Sequence, residues 1–290
     1  MKIRLASVVT CYKPKKTDIK KITTLSEHFN YVLVVCNYDQ NFKGSYNLDL
    51  LNKKNIFIIK NNKNYGVAKA MNQGMDFFSD KNVDWICFMD QDSSFISKPK
   101  EIILKFGELN LPKNSIIGAK YTIDKKLKKR VDISFIEKDK TIISGMFVPK
   151  SIFQKHRLDD QYFIDFCDHE FCKRLKKNGI RIFTTKEPVL FHNLGIRCDL
   201  NFPLNIFSKY YSDYSNIRHF LMARNRIFLQ EKSYLRNKFV NLKKELKKIV
   251  KIIIFEKNAK SKIRSRLLGI YSGWKRIHYE SLDEIKNKYF

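Results

Sequence analysis

The first half of the chain repeats one pattern: short, nearly unbroken apolar runs separated by helix-length segments of mixed polarity. The runs are Leu5–Thr10, Tyr31–Cys36, Asn55–Ile59 and Trp85–Met89, and they are rich in β-branched residues. A strand with one wet face alternates apolar and polar residues, whereas a strand buried on both faces reads as a continuous apolar run. Between the runs, Asp18–Phe29 and Gly66–Phe78 have helical length and composition. Strand, helix, strand, helix predicts an α/β fold with a mainly parallel central sheet and helices on both faces. Such sheets bind ligands beyond the carboxyl ends of their strands, beside the point where strand order reverses. Thr10, Tyr12, Asn37 and the triplet Asp90, Gln91, Asp92 all fall at such ends.

Past Pro99 the spacing predicts a helix over Lys100–Leu109, a strand near Ser115–Lys120, a Lys-rich loop around Asp124–Arg130 and a strand ending in TIISGMFVP. Next, YFIDFCDHEFCKRLKKNG reads as a helix that opens on an acidic cluster, closes on lysines as its dipole favours, and stops at Gly179. Beyond Asn205 strands are expected to end. The chain therefore divides into an α/β domain, 1–205, of two halves (about 1–98 and about 99–205), and a helical extension, 206–290. Within the extension Leu235, Phe239, Leu242, Leu246, Ile249 and Ile253 step by four and three residues, while Arg236, Lys243, Lys244, Lys247, Lys248 and Lys251 crowd the other faces. A helix of this kind docks on the core, on a second copy in a homodimer, or in an anionic membrane interface.

The formal net charge is +28, and between Ser233 and Arg276 fourteen Lys or Arg stand against two Glu. Such an excess suits nucleic acid, anionic lipid or phosphate-bearing substrates. A nucleic-acid-binding protein is the reading of a different class, but no helix-turn-helix, RNP or zinc pattern accompanies the charge, and no nucleic-acid partner is expected. The six cysteines form no CxxC pair, and Cys11, Cys36 and Cys87 lie in strand-like runs as small apolar residues. With no signal-like N-terminus and no apolar window of about 18 residues, the chain reads as cytoplasmic.

Three motifs carry chemistry. In DWICFMDQDSSF a buried-looking strand runs into Asp90 and Asp92. Two carboxylates at a strand end suit Mg²⁺ or Mn²⁺, which take oxygen ligands and leave places for water and phosphate; strand ends and helix caps use Asp as well. In NNKNYGVAKAMNQGM, Asn64, Gly66, Asn72 and Gly74 join a tight turn to a helix lined with small residues. In FIDFCDHEF, Asp165, Asp168 and Glu170 are close enough to tune one another for proton abstraction from a hydroxyl.

Taken in order, SVVTCYKP, NxGxAxAxNxG, MDQDS, SGxxxP, FIDxxDxEFCxRLxxxG, HNLG and RHFLMARN resemble the family 2 glycosyltransferases of GT-A fold, in particular the bacterial rhamnosyltransferase group, over about Ala6 to Leu229. The resemblance implies an inverting, metal-dependent transferase that moves L-rhamnose from dTDP-rhamnose to a glycan, commonly lipid-linked, at the inner-membrane surface during surface polysaccharide synthesis. A relative using a UDP-hexose has the same pattern. By similarity, Thr10, Tyr12 and Asn37 surround the base and ribose, and Asn64, Gly66 and Asn72 lie beside the nucleotide or sugar. Asp90, with Gln91, lies near ribose or sugar, Asp92 binds the metal, and His192 adds a metal or diphosphate contact. Asp168 is the general base. Ser144 and Gly145, Asp165, Glu170 and Arg174, and the helix residues Arg218, Arg224 and Asn225 support the acceptor or a phosphate. Two positions depart from the family's pattern: Cys36 precedes Asn37 where an aspartate is usual, and Cys167 precedes Asp168 where a glutamate is.

Overall fold

The computed structural model describes residues 3–38, 51, 53–124, 132–192, 197–199, 210–229 and 235–290, and for 197–199, 210–212 and 235–241 the backbone course alone. The first elements are β1 (Leu5–Cys11), α1 (Lys16–Leu25), β2 (Tyr31–Cys36), β3 (Ile56–Lys60), α2 (Val67–Ser79) and β4 (Trp85–Asp90). There follow β5 (Ser94–Phe95), α3 (Pro99–Glu108), β6 (Ser115–Gly118), β7 (Tyr121–Thr122), β8 (Phe135–Glu137), β9 (Met146–Pro149), α4 (Lys150–Phe153), α5 (Cys167–Lys177), β10 (Arg181–Thr185) and β11 (Leu190–Phe191). Last come β12 (Arg197–Asp199), β13 (Tyr210–Ser212), α6 (Asn216–Phe228), α7 (Leu235–Phe255), α8 (Ala259–Trp274) and α9 (Leu282–Tyr289).

Eight strands form one sheet in the order β3-β2-β1-β4-β9-β6-β10-β8. β3, β2, β1 and β4 are mutually parallel, and β9 runs antiparallel between β4 and β6. Every residue of β1 is buried, as its unbroken apolar run requires. Strand order reverses at β1: β2 and β3 lie to one side, β4 to the other. The carboxyl ends of β1 and β4 therefore flank the switch point, and they carry Thr10 and Asp90 as register partners. α2 packs so closely on this sheet that a Cβ on Gly74 would stand 2.3 Å from Val8 Cγ2. A second, three-stranded sheet, β5-β11-β7, pairs β11 antiparallel with β5 and parallel with β7.

Two compact units emerge: Met1–Asp160 with Cys167–Asn193, and Gln161–Phe166 with Leu194–Phe290. The second unit thus differs from the expected 206–290 extension by reclaiming the 161–166 segment and the 194–205 stretch. It also holds a strand past Asn205, where strands were expected to end. β12 and β13 are three residues each and pair antiparallel; so short a pair leaves no periodicity to read. Of the Lys-rich loop, residues 125–131 lie outside those described, as does Asn193–Gly195 of HNLG.

The helices of the second unit also depart from the expected stripe. Leu246 and Ile253, members of the apolar stripe, are 54% and 60% exposed, whereas Glu245 and Ile252 are fully buried. The buried side carries Glu245 and Ile252 of α7 and, one residue past the helix, Glu256, offset from the pattern of hydropathy. The two glutamates are accommodated by partners. Arg266 Nε donates to Glu245 Oε2 at 2.9 Å, and Arg226 Nη1 stands 2.8 Å from Glu245 Oε1. Glu256 Oε2 takes His219 Nε2 at 2.8 Å and Lys262 Nζ at 3.2 Å. An arginine can only donate, so the 3.0 Å contact from Arg266 Nη1 makes His219 Nδ1 the acceptor and leaves its Nε2–H for Glu256. α8 approaches α6 so closely that a Cβ on Gly269 would lie 2.2 Å from the Phe220 carbonyl oxygen.

Candidate active site

The DQD turn follows β4 directly. Its middle residue staples the switch point together: Gln91 Oε1 accepts from the Tyr12 N–H at 2.7 Å, and Gln91 Nε2 donates to the Tyr12 carbonyl at 3.2 Å and to Asp18 Oδ2 at 3.3 Å. Tyr12 itself is 42% exposed. The Lys21 ammonium donates to the Asp92 carbonyl from α1. Gln91 is therefore engaged with the chain rather than turned outward, and its role is to fix the two strand ends that carry Tyr12 and the aspartates.

His192 reaches the same turn through the small sheet. The β5–β11 register pairs Phe191 with Ser94 and Leu190 with Phe95, so the next residue of β11's strand path, His192, comes opposite Ser93. There the Ser93 hydroxyl meets His192 Nδ1 at 2.7 Å, the Ser144 hydroxyl donates to Ser93 Oγ at 2.9 Å, and the Asp90 N–H donates to Ser144 Oγ at 3.3 Å. Tyr121 packs edge-on against the imidazole, with centroids 5.5 Å apart. Ser93 and Ser144 are buried. Gly145 follows at φ +78, where a Cβ would come within 2.8 Å of Ala119 Cβ; only glycine fits such a left-handed, crowded position. Ser144 and Gly145 thus act through the turn and the imidazole.

One ligand atom each from Asp90, Asp92 and His192 lies within 4.8 Å of the others. His192 Nδ1 is 3.7 Å from Asp90 Oδ2. Two facing carboxylates and an imidazole, all half-buried, repel less with a cation among them, and oxygen with nitrogen donors suits Mn²⁺ as well as Mg²⁺. The residues fit a divalent ion. The group brings Asp90, which the resemblance set beside ribose or sugar, together with Asp92 and His192.

The amides of the second motif are committed locally. Asn37, at the end of β2 and 2% exposed, donates to the Gly66 carbonyl at 2.9 Å and accepts from the Tyr65 N–H at 2.9 Å. Asn64 Oδ1 accepts from the Gly66 N–H at 3.0 Å, and Gly66 caps α2 at φ 87. Asn72 accepts from the Leu158 N–H at 3.0 Å, donates to the Leu158 carbonyl at 2.9 Å and binds Asp160, whose carboxyl burial pushes up against the pull of that hydrogen bond. Thr10 is buried, its hydroxyl 3.5 Å from Met71 Sδ. These residues shape the loop over β2 and β3.

The acidic cluster is dispersed rather than shared. Glu170 grips Arg174 through two oxygens, at 2.7 and 2.9 Å, and Arg174 also donates to the Arg157 carbonyl at 2.6 Å. Asp165 belongs to the second unit and pairs with Arg218 at 3.1 and 3.3 Å. Asp168 stands half-buried in the first turn of α5, where its Oδ1 accepts from the His169 N–H at 2.8 Å. Arg224, 1% exposed, donates to the carbonyls of Gln161 at 2.7 Å and Ile277 at 2.8 Å and to Asn225 Oδ1 at 2.6 Å. Asn225 in turn holds the Ile164 carbonyl at 2.6 Å and that of Asp165 at 3.1 Å. Arg218, Arg224 and Asn225 thus hold 161–166, where Asp165 and Phe166 adopt left-handed φ of 57 and 68. Ser93, the link to His192, was not singled out from sequence; its place directly after the DQD turn is the one signal that pointed to it.

A model of the family described as Glycosyl transferase family 2 matches residues 45–172, a span that holds the DQD turn and Asp168. That span carries a glycosyltransferase family 2 domain. The transferase has the GT-A arrangement, a mainly parallel sheet with the DQD turn at its switch point. Among curated proteins it is 27% identical over 259 residues to dTDP-rhamnosyl transferase RfbF of Shigella flexneri, covering 81% of this chain and 82% of that one. Among solved structures it is similar to S. aureus TarS, at 12% identity and a TM-score of 0.49, over 83% of the transferase and 42% of the TarS chain. The structure of TarS 1-349 in complex with UDP matches at the same identity and TM-score, over 96% of this chain and 93% of that one.

Proposed function

We propose that the transferase moves L-rhamnose from dTDP-rhamnose to a hydroxyl of a glycan, one carried on lipid during surface polysaccharide synthesis, with inversion at the anomeric carbon. The observation that carries the donor is the similarity to RfbF across four-fifths of both chains. Asp92, with His192 and Asp90, would hold Mg²⁺ or Mn²⁺, which supplies positive charge where the nucleoside diphosphate departs. Gln91 fixes Tyr12, whose half-exposed ring offers a face to the base, and Asn37 and Asn64 hold the Gly66 turn beside it. Asp168, in the first turn of α5, takes the proton of the acceptor hydroxyl as the hydroxyl oxygen bonds to the anomeric carbon and the bond to the diphosphate breaks.

A panel of dTDP-rhamnose, dTDP-glucose and UDP-hexoses, each with and without Mn²⁺, tests this directly. Metal-dependent turnover of dTDP-rhamnose is expected, with Asp168→Asn lowering transfer by on the order of 10²–10⁴ while dTDP still binds. Preference for a UDP-hexose would overturn the donor. Undiminished transfer by Asp168→Asn would overturn the base.

A further inference from the structure

The second unit turns outward a face that pairs apolar side chains with lysine and no carboxylate. On α7, Leu246, Val250, Ile253 and Ile254 are 48–60% exposed at spacings i, i+4, i+7 and i+8, and so share one side of the helix. Lys243, Lys244, Lys247 and Lys251 are exposed among and beside them. On α8, Leu267, Tyr271 and Trp274 repeat the spacing at 52–56% exposure, with Lys260, Arg264 and Lys275 exposed along the same side. The sole acidic residues between Ser233 and Arg276, Glu245 and Glu256, are both buried against their cations. The fold has thus withdrawn every negative charge of these two helices from the surface.

From this arrangement we propose that the outward faces of α7 and α8 dock on an anionic lipid bilayer, the apolar stripes entering the headgroup boundary and the lysines meeting lipid phosphates. Tyr and Trp suit that boundary, having an apolar ring and a polar tip. No helix among the described residues is long and apolar enough to cross a membrane, so the contact is peripheral. Charge decides between lipid and a second copy of the chain. A two-fold interface would set the same patch on both partners and so oppose lysine to lysine, whereas an anionic surface attracts at roughly 1 kcal/mol per basic residue.

The proposal rests on the second unit alone and is read without nucleotide sugar, so it stands or fails apart from the donor assignment. The test is co-sedimentation of the full chain with vesicles of phosphatidylcholine, alone or with about a third phosphatidylglycerol. Wild type is expected to bind the anionic vesicles and release them with added salt. Lys247→Glu with Lys251→Glu, and separately Ile253→Ser with Trp274→Ser, should each weaken binding about tenfold or more. Unchanged melting temperatures would show that both variants fold, as exposed positions allow, and transfer to a short water-soluble acceptor should persist in both. Equal vesicle binding by wild type and variants would overturn the proposal. So would a lipid-free dimer that Ile253→Ser with Trp274→Ser converts to monomer while vesicle binding stays intact, or loss of transfer to the soluble acceptor in folded variants.

Discussion

At the scale of single residues, the candidate metal group depends on side chains that never touch a metal. The relay from the Asp90 N–H through Ser144 and Ser93 to His192 Nδ1 fixes the imidazole relative to the aspartates. Groups that orient a ligand from behind typically change metal affinity ten- to a hundredfold when removed. Ser93→Ala is therefore expected to weaken Mn²⁺ binding about tenfold or more by titration calorimetry while leaving the melting temperature within a few degrees. An unchanged Mn²⁺ affinity would separate His192 from the site. The two aspartates were legible in the sequence because a strand run ended on them. Ser93 was not, because its partners stand 51 and 99 residues away: the pairing of β4 with β9 brings Ser144 to it, and that of β5 with β11 brings His192.

At the scale of elements, the sheet was legible and the helices of the second unit were legible only in part. Strands buried on both faces announce themselves by composition, and β1, β2 and β4 fall within a residue of the expected runs. For α7 the hydropathy pattern grouped Leu246 and Ile253 in one stripe without saying what it faces; they are exposed, and the buried side carries Glu245, with Glu256 just past the helix. Periodicity cannot show that Arg226, Arg266, His219 and Lys262, from two other helices, will compensate those charges. Glu256 makes the compensation measurable. Burial pushes its carboxyl up, but the hydrogen bonds from His219 and Lys262 outweigh this and hold it below its ordinary value of 4.5. A depressed folded-state pKa means a contribution that is whole above the ordinary value and lost as pH falls through the folded one. Glu256→Gln is expected to cost about 1–3 kcal/mol near neutral pH, where it takes the carboxylate from buried Lys262 and His219. Melting curves of variant and wild type should converge as pH drops below 4.5; a constant gap at all pH would mean that Glu256 is not the charged partner.

At the scale of the whole molecule, the strand order accounts for where the chemistry sits. The reversal at β1 leaves the ends of β1 and β4 open to a ligand, Gln91 ties them, and the β5-β11-β7 sheet delivers His192 to the same spot. Arg224 and Asn225 brace the 161–166 segment. Their buried donors are bonded to main-chain carbonyls, a fact that no reading of an Arg-rich helix reveals in advance. The central claim is that Asp90, Asp92 and His192 form one cation site that serves a nucleoside diphosphate. Calorimetric titration of dTDP into the full chain, with Mn²⁺ and with chelator, tests it most directly. Binding at least about tenfold tighter with Mn²⁺ is expected for wild type, with that gain abolished in Asp92→Asn and in His192→Ala. Equal dTDP affinity with and without Mn²⁺, or a gain retained in both variants, would contradict it.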